Sequence, residues 1–318
     1  MLECTMQILN EQVVTAWVLE HPAHFQLLSP FIKKGDRNDV LIITTREECM
    51  NMYKKSKNYL PDREVFFVER PFGKNYSRLK TLLKVIKRRI RVKRFLNKRQ
   101  KNNPIDRIVV MGASLELLSA KAARINQRIY ISDTEIHHLA HKLALRSATD
   151  VLLPKYWRKD LDDGFSEKCK KYKINLLIHE NIHAEMRVFN RDHKCNDRII
   201  CRLLEGGGNH DSKEILDVEN KLHLINGKID FFNEGFLHEN PWELCNLISQ
   251  YSSVITQSTT FAAEAAIQNI PTLLFSKAKR GFLSELLSRN KPLIQCLSIS
   301  DFENSVKEWE KIKLNQKK

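Results

Sequence analysis

Short runs rich in β-branched residues alternate with helical stretches along almost the whole of this chain, and that rhythm is the pattern of parallel strands joined by crossover helices. In the first half it predicts strands near 12–19, 39–44, 64–68, 106–111, 128–132 and 150–153, with helices near 23–34, 46–57, 76–101, 115–125 and 137–147. Pro22 suits a first helical turn, and Thr45 with Glu48 has the spacing of a capping box. In the second half strands are expected near 198–204, 221–225, 253–256, 271–275 and 293–296. Asn240-Pro241-Trp242-Glu243 and a second box, Ser300 with Glu303, mark two of its helix starts. The polar stretch 154–197, with a weaker strand at Asn175–Ile178, reads as the connection, with a boundary near 190. A chain of 318 residues has room for two domains, so the expectation is an α/β protein of two doubly wound parallel sheets, 1–190 and 191–318. Ligands of such sheets sit beyond the carboxyl ends of the strands, and a cleft between the two domains is the expected site.

Composition removes several alternatives. With 42% hydrophobic and 29% charged residues the chain can bury a core, which excludes disorder as a description of the whole. The longest apolar runs, such as Val13 to Leu19, have strand length, well short of the ~18–20 residues that span a bilayer. Met1-Leu2-Glu3-Cys4-Thr5 carries no apolar signal core, so a cytoplasmic protein is expected. Cys4, Cys49, Cys169, Cys195, Cys201, Cys245 and Cys296 form no C-x-x-C pair and read as reduced thiols.

The net charge of +15 is concentrated in one place. Residues 74–103 hold 13 Lys or Arg and no acid, leaving 40 basic against 38 acidic residues elsewhere. Leu79, Leu82, Leu83, Ile86 and Ile90 recur there at helical spacing and Asn102-Asn103-Pro104 ends the pattern, which predicts an amphipathic helix with a basic outer face. Two readings stay open: a surface helix packing its apolar stripe on its own domain, or a patch for anionic lipid headgroups at the inner face of the cell membrane. Nucleic acid ranks last, because no helix-turn-helix, zinc finger or RNA-binding aromatic pair accompanies the charge.

The sharpest local feature is the run Ser253 to Ala266, followed by Asn269-Ile270-Pro271-Thr272-Leu273-Leu274-Phe275. A buried strand ends in Ser258, Thr259 and Thr260, which open an Ala-rich helix. Free N–H groups and the positive dipole end at such a start suit a phosphate. Glu264 lies one turn inside, in reach of hydroxyls on the same ligand; alternatively Ser258 or Thr259 is only a cap and Glu264 a solvated acid. Gly112-Ala113-Ser114 follows the fourth strand, where it forms a tight turn or lets an acceptor group approach a helix start. Asp133, Glu135, His137 and His138 make a dense polar loop after the fifth strand, suited to acceptor hydroxyls and without the spacing of a known zinc motif. Gly206, Gly207 and Gly208 leave backbone N–H groups uncovered or form a flexible turn. Asp160-Leu161-Asp162 has a metal-binding look but does not fall at a strand end, so no metal and no cofactor beyond the substrate is expected. His179, Glu180 and His183 are read as structural residues near the domain junction.

The strand, the small residues, the helix carrying Ala-Ala-Glu-Ala-Ala and the following Ile-Pro-Thr-Leu-Leu-Phe together resemble the nucleotide-sugar site of GT-B glycosyltransferases, including the peptidoglycan N-acetylglucosaminyltransferase. The segments Glu20 to Phe25, Gly112 to Leu117, Ser132 to Glu135 with Lys142-Leu143-Ala144, and His179-Glu180 occur in an order similar to an uncharacterised archaeal and bacterial GT-B-like family. The resemblance implies two Rossmann-like domains facing a central cleft, with Ser258, Thr259 and Thr260 at the donor diphosphate, the loop of Gly206, Gly207 and Gly208 beside it, and Glu264 on the ribose hydroxyls. The usual glycines after the strand are here Ser-Thr-Thr, which narrows the room for a phosphate. The resemblance further makes His24, with His21 in reserve, the candidate general base for the acceptor hydroxyl. The activity it implies is metal-independent transfer of a sugar from a nucleotide-activated donor to a glycan or lipid-linked hydroxyl. A nucleotide-sugar 2-epimerase and a non-catalytic nucleotide-sugar or glycan-binding protein are the alternatives.

Overall fold

Four central strands, β1 (Thr15–Leu19), β2 (Val40–Thr44), β4 (Arg107–Met111) and β6 (Asp150–Pro154), are buried along their whole length. Continuous apolar runs of this kind are what a parallel sheet covered on both faces requires. They belong to a sheet of order β3-β2-β1-β4-β5-β6-β7 in which every pairing is parallel. β3 (Glu64–Val68) and β7 (Asn175–His179) form its more exposed edges, and β5 (Gln127–Ile131) lies between β4 and β6. The computed structural model describes residues 7–71, 77–112, 114–180, 185, 196–204, 214–232 and 241–316. The chain divides into two compact units, 1–181 and 182–318; residue 190, where the sequence places a boundary, lies outside the described residues.

The helices of the first unit are α1 (Gln7–Asn10), α2 (Pro22–Lys34), α3 (Glu47–Lys54), α4 (Arg78–Asn102), α5 (Leu115–Ala122), α6 (His138–Ala144) and α7 (Phe165–Lys171). The second unit holds a parallel sheet of order β12-β11-β10-β8-β9, built from β8 (Asn196–Arg202), β9 (Lys228–Phe231), β10 (Tyr251–Thr256), β11 (Thr272–Phe275) and β12 (Leu293–Cys296). Its helices are α8 (Leu244–Ser249), α9 (Thr259–Ile267), α10 (Gly281–Ser288) and α11 (Phe302–Gln316). Strand order reverses between β1 and β4 in one sheet and between β8 and β10 in the other. Loops leaving neighbouring strands in opposite directions open a crevice at such points.

Several expectations are corrected. The stretch 154–197 is not simply a connection, because α7 and β7 within it complete the first sheet. Residues 221–225 are not a strand: a 3-10 turn covers Glu219–Leu224, and the strand comes later, at Lys228–Phe231. Leu222 and Ile225, three residues apart, are buried there while Leu224 is exposed, a spacing of three that fits a 3-10 turn and not an alternating strand. Neither capping box forms. Thr45 Oγ1 donates to Val68 O at 3.3 Å and Glu48 takes two bonds from Arg46. Near the C-terminus Ser298 is the capping residue, with Oγ accepting from Asp301 N at 3.3 Å, while Ser300 bonds to the Ser298 hydroxyl. Asn240 lies outside the described residues, and Pro241–Glu243 form a 3-10 turn leading into α8.

α4 turns a different face inward from the one its apolar periodicity suggests. Arg88, Val92 and Leu96 are its buried residues, capped at the helix start by Ser77, whose Oγ accepts from Lys80 N at 3.2 Å. Leu79, Leu82, Leu83, Ile86 and Ile90 are all exposed, so the stripe does not pack on its own domain.

Candidate functional site

In the second unit the buried strand β10 runs into Gln257 and then α9. Ser258 has the extended backbone of an N-cap and its Oγ accepts from Phe261 N at 3.4 Å. The first intrahelical bond runs from Ala262 N to Ser258 O, so the amides of Thr259 and Thr260 have no acceptor within the helix. Ser258 and Thr259 are half-buried and Thr260 is exposed. Glu264, one turn in, is only 4% exposed and is not a solvated surface acid. Alanines 262, 263, 265 and 266 are buried on the same helix, small enough to let α9 lie close beneath the strand ends.

The neighbouring loop is anchored on both flanks. Gln257 Oε1 accepts from Leu204 N and Gln257 Nε2 donates to Leu216 O, each at 2.7 Å. Further along, Arg280 grips Glu214 with two bonds, at 3.1 and 2.6 Å. Between these anchors lie Gly206, Gly207 and Gly208, which are outside the described residues. At the end of β8 the Arg202 guanidinium sits 5.4 Å from the centroid of the Phe261 ring, placing a cation beside the first turn of α9. A helix start and a neighbouring arginine make this end of the sheet suited to an anion.

In the first unit the predicted histidines stand at the start of α2, His24 within its first turn. His21 is the N-cap of α2, its Nδ1 accepting from Ala23 N at 3.2 Å, and Pro22 follows at the first helical position. His24 Nδ1 accepts from Glu20 N at 3.2 Å, and the two rings lie 5.9 Å apart. An accepting Nδ1 leaves the proton of a neutral ring on Nε2, so in this arrangement both rings present donors there.

Next to them is a buried charge cluster that the sequence reading did not pick out. Arg88, 3% exposed, reaches inward from α4 to Glu20 Oε1, to Glu116 Oε1 at 2.7 Å, to Thr44 Oγ1 at 3.1 Å and to Glu69 O at 3.0 Å. Thr44 Oγ1 also donates to Glu20 Oε1 at 3.2 Å. Glu116 is 1% exposed, and its Oε2 has no hydrogen-bond partner among the described residues. Burial first, then the nearby Glu116 carboxylate, push the Glu20 carboxyl up to about 7 against the pull of Arg88 and Thr44. Burial also works against the Arg88 charge, but Glu116 and Glu20 more than offset it and its pKa is raised. A partly exposed carboxyl that titrates near neutrality can both give and take a proton.

The other candidates are distributed around the same rim. Gly112 has φ +63°, a left-handed conformation that favours glycine, and a Cβ there would only touch the His137 ring, at 3.8 Å. Ser114 is the buried N-cap of α5 without a side-chain cap bond, and Glu116 follows in the first turn of that helix. Glu135 is buried and its Oε1 accepts from Arg158 N at 3.1 Å, so it ties down the loop after β6, while Asp133 is half-buried. His141 belongs to the core: it stacks on Phe165 with centroids 4.1 Å apart, bonds to Ser132 Oγ at 3.0 Å, and burial brings its pKa down to about 3. Asp162 caps α7, accepting from Ser166 N at 3.0 Å and Trp157 Nε1 at 2.8 Å, and Asp160 pairs with Arg158. His179 is buried, Glu180 pairs with Lys155 on the surface, and His183 lies outside the described residues.

The structure therefore groups Ser258, Thr259, Thr260 and Glu264 at the start of one helix, and His21 with His24 at the start of another. It adds Arg202 and Gln257 to the first group and Glu20, Thr44, Arg88 and Glu116 to the second. The sequence signal for Arg88 was its place in the series 88, 92, 96, a single helix face with two aliphatic partners.

No family model matches the chain, and no curated protein sequence matches it. Solved structures do. The UDP-GlcNAc 2-epimerase of Methanocaldococcus jannaschii, in complex with UDP-GlcNAc and UDP, matches with a TM-score of 0.63 at 14% identity, over 95% of this chain and 92% of that one. MnaA of S. aureus, solved with UDP, matches with a TM-score of 0.63 at 11% identity, over 95% and 90%. UGT89C1 of Arabidopsis thaliana, complexed with UDP-L-rhamnose, matches with a TM-score of 0.56 at 9% identity, over 96% and 94%. At these identities the likeness is one of fold, and the fold is GT-B-like: two α/β units, each on a parallel sheet.

Proposed function

We propose that this chain is a nucleotide-sugar-dependent enzyme that transfers the sugar to a hydroxyl of a glycan or lipid-linked acceptor. The observation that carries the reading is the start of α9, where two amides without helical acceptors, a cation at Arg202 and the buried Glu264 come together. Support also comes from the solved structures of like fold that hold UDP or a UDP-sugar. The donor diphosphate sits at Ser258, Thr259 and Thr260, with Gly206, Gly207 and Gly208 alongside, and Glu264 accepts hydrogen bonds from ribose hydroxyls. As the acceptor oxygen bonds to the anomeric carbon, the bond to the diphosphate breaks and the helix start with Arg202 stabilises the charge that leaves. This assigns charge neutralisation to protein groups and needs no cofactor.

The acceptor proton goes to the loop after β1 and the start of α2. Two groups there fit: His24, once Nδ1 gives up the bond from Glu20 N and holds the ring proton so that Nε2 accepts, and Glu20 in its ionised form, its carboxyl being pushed up to about 7 by burial first and then by Glu116. Gly112, Ser114, Asp133 and Glu135 mark the acceptor side of the same unit. A lipid-linked acceptor would be met at the inner face of the cell membrane, through 76–101.

A nucleotide-sugar 2-epimerase is the second reading, favoured by the epimerases among the similar structures and by Glu20 and Glu116, which add carboxyl groups beyond Asp133 and Glu135. Incubating a nucleotide sugar without acceptor separates the two: an epimerised product favours the second reading and an untouched donor the first. Donor binding without turnover over a wide acceptor panel points instead to a binding protein. The direct test of the donor site is thermal stabilisation by nucleoside diphosphates and nucleotide sugars. At about 100 times Kd a ligand adds roughly 2.7 kcal/mol, a shift of a few degrees. Wild type responds and Glu264→Ala and Glu264→Gln do not; a wild type deaf to every nucleotide sinks the reading.

A further inference from the structure

We infer that α4 is a docking surface for an anionic lipid bilayer, entered by Leu79, Leu82, Leu83, Ile86 and Ile90. These five side chains are 67, 54, 59, 45 and 44% exposed. At 3.6 residues per turn they fall within an arc of about 100°, on the side of the helix turned away from the buried Arg88, Val92 and Leu96. Five large aliphatic groups in one continuous stripe on a water-facing helix form an apolar patch of the kind that marks an interaction site.

The charges beside the stripe select its occupant. On the same helical projection Lys80, Lys84, Lys87, Arg91 and Arg94 line one border and Arg78 and Arg89 the other, while Lys93 closes the stripe one turn beyond Ile90. No acid lies between residues 74 and 103. A second copy of this chain meeting the stripe face to face would bring two rows of cations together, with only Glu69, already paired with Arg91, as a carboxylate beside the row among the described ion pairs. A nucleic acid would satisfy the cations but leave the leucines without a partner, since its contribution is phosphate. A bilayer carrying anionic headgroups satisfies both: the aliphatic groups enter the acyl boundary while lysine and arginine stems extend sideways to the headgroups. Arg88 is the exception that fits, the basic side chain of this face-divided helix that is buried and spent on Glu20 and Glu116.

This deepens the membrane part of the proposed function and does not depend on its nucleotide part. The test is flotation of the full chain with phosphatidylglycerol-containing vesicles and with phosphatidylcholine vesicles, at about 0.05 M and about 0.5 M salt. Wild type is expected to float with the anionic vesicles at low salt, and at least tenfold less with neutral vesicles or at high salt. The double variant Leu83→Glu, Ile86→Glu is expected to lose at least tenfold in anionic-vesicle binding with its melting temperature and nucleotide response unchanged. Leu314→Glu, on an exposed position of α11, is expected to float as wild type does. Absence of flotation at low salt overturns the proposal, and so does full binding by the double variant, which would leave charge alone at work. Sedimentation without lipid completes it: equal mass for wild type and double variant supports lipid docking, whereas a wild-type dimer that the double variant dissolves assigns the stripe to a second copy. A wild type that responds to nucleotide but does not bind anionic vesicles at low salt refutes this proposal alone.

Discussion

Glu20 and His141 depart from ordinary titration in opposite senses. The Glu20 carboxyl, raised from 4.5 to about 7, binds more proton in the folded than in the unfolded chain between those values. Its contribution is therefore present at low pH and is lost as pH rises through about 7. Glu20→Gln should gain stability relative to wild type between pH 5 and pH 8, read from urea midpoints; a difference independent of pH would show that Glu20 is ionised throughout. His141, lowered from 6.5 to about 3, favours the folded chain above 6.5 and loses that contribution as pH falls toward 3. The His141→Gln variant should therefore unfold with a shallower dependence on acid than wild type. At this scale the sequence was partly legible. Ser258 and Glu264 announced themselves by standing where a strand gives way to a helix. Glu20 stood beside the histidines without a sign of its proton, because its pKa is set first by burial and then by Glu116 and Arg88, 96 and 68 positions away, all of them supplied only by the fold.

Helix α4 shows how periodicity can identify an element and still misplace its contact face. The apolar residues at 79, 82, 83, 86 and 90 dominate the pattern, and they face solvent. The packed face looks weaker in sequence because one of its three buried residues is an arginine. Alanine substitutions should expose the difference. Leu96→Ala, on the buried face, should cost about 2–5 kcal/mol of unfolding free energy, whereas Leu82→Ala should stay within about 0.5 kcal/mol of wild type. Equal costs would contradict the placement of the helix. The turn at Glu219–Leu224 was misread for a related reason: over six residues, alternating and threefold spacings share too many positions to be told apart. The two capping boxes failed because backbone and arginine partners outside the box claimed Thr45 and Glu48, and because a 3-10 turn at Ile299–Asp301, capped by Ser298, takes Ser300 into its interior.

Over the whole molecule the parallel α/β class was readable, since buried parallel strands and crossover helices leave repeated apolar runs. Strand order was not, because the position of β1 beside β4 rests on pairings such as Thr15 with Arg107, 92 residues apart in sequence. The division into two units makes a calorimetric prediction: a nucleotide that binds at α9 should raise the unfolding transition of 182–318 and leave that of 1–181 in place. A single transition shifting as a unit would show that the two halves unfold cooperatively. The described cysteines offer a way to tell the halves apart. Cys49 and Cys169 are buried in the first, Cys201, Cys245 and Cys296 in the second, and burial pushes the thiols of Cys49, Cys169 and Cys201 up to about 12. Such thiols are inert toward alkylating reagents until the surrounding core opens. With Cys4 and Cys195 replaced by serine, the rate at which each remaining sulfur takes up label becomes a clock on the breathing of its own half, read residue by residue from peptide masses.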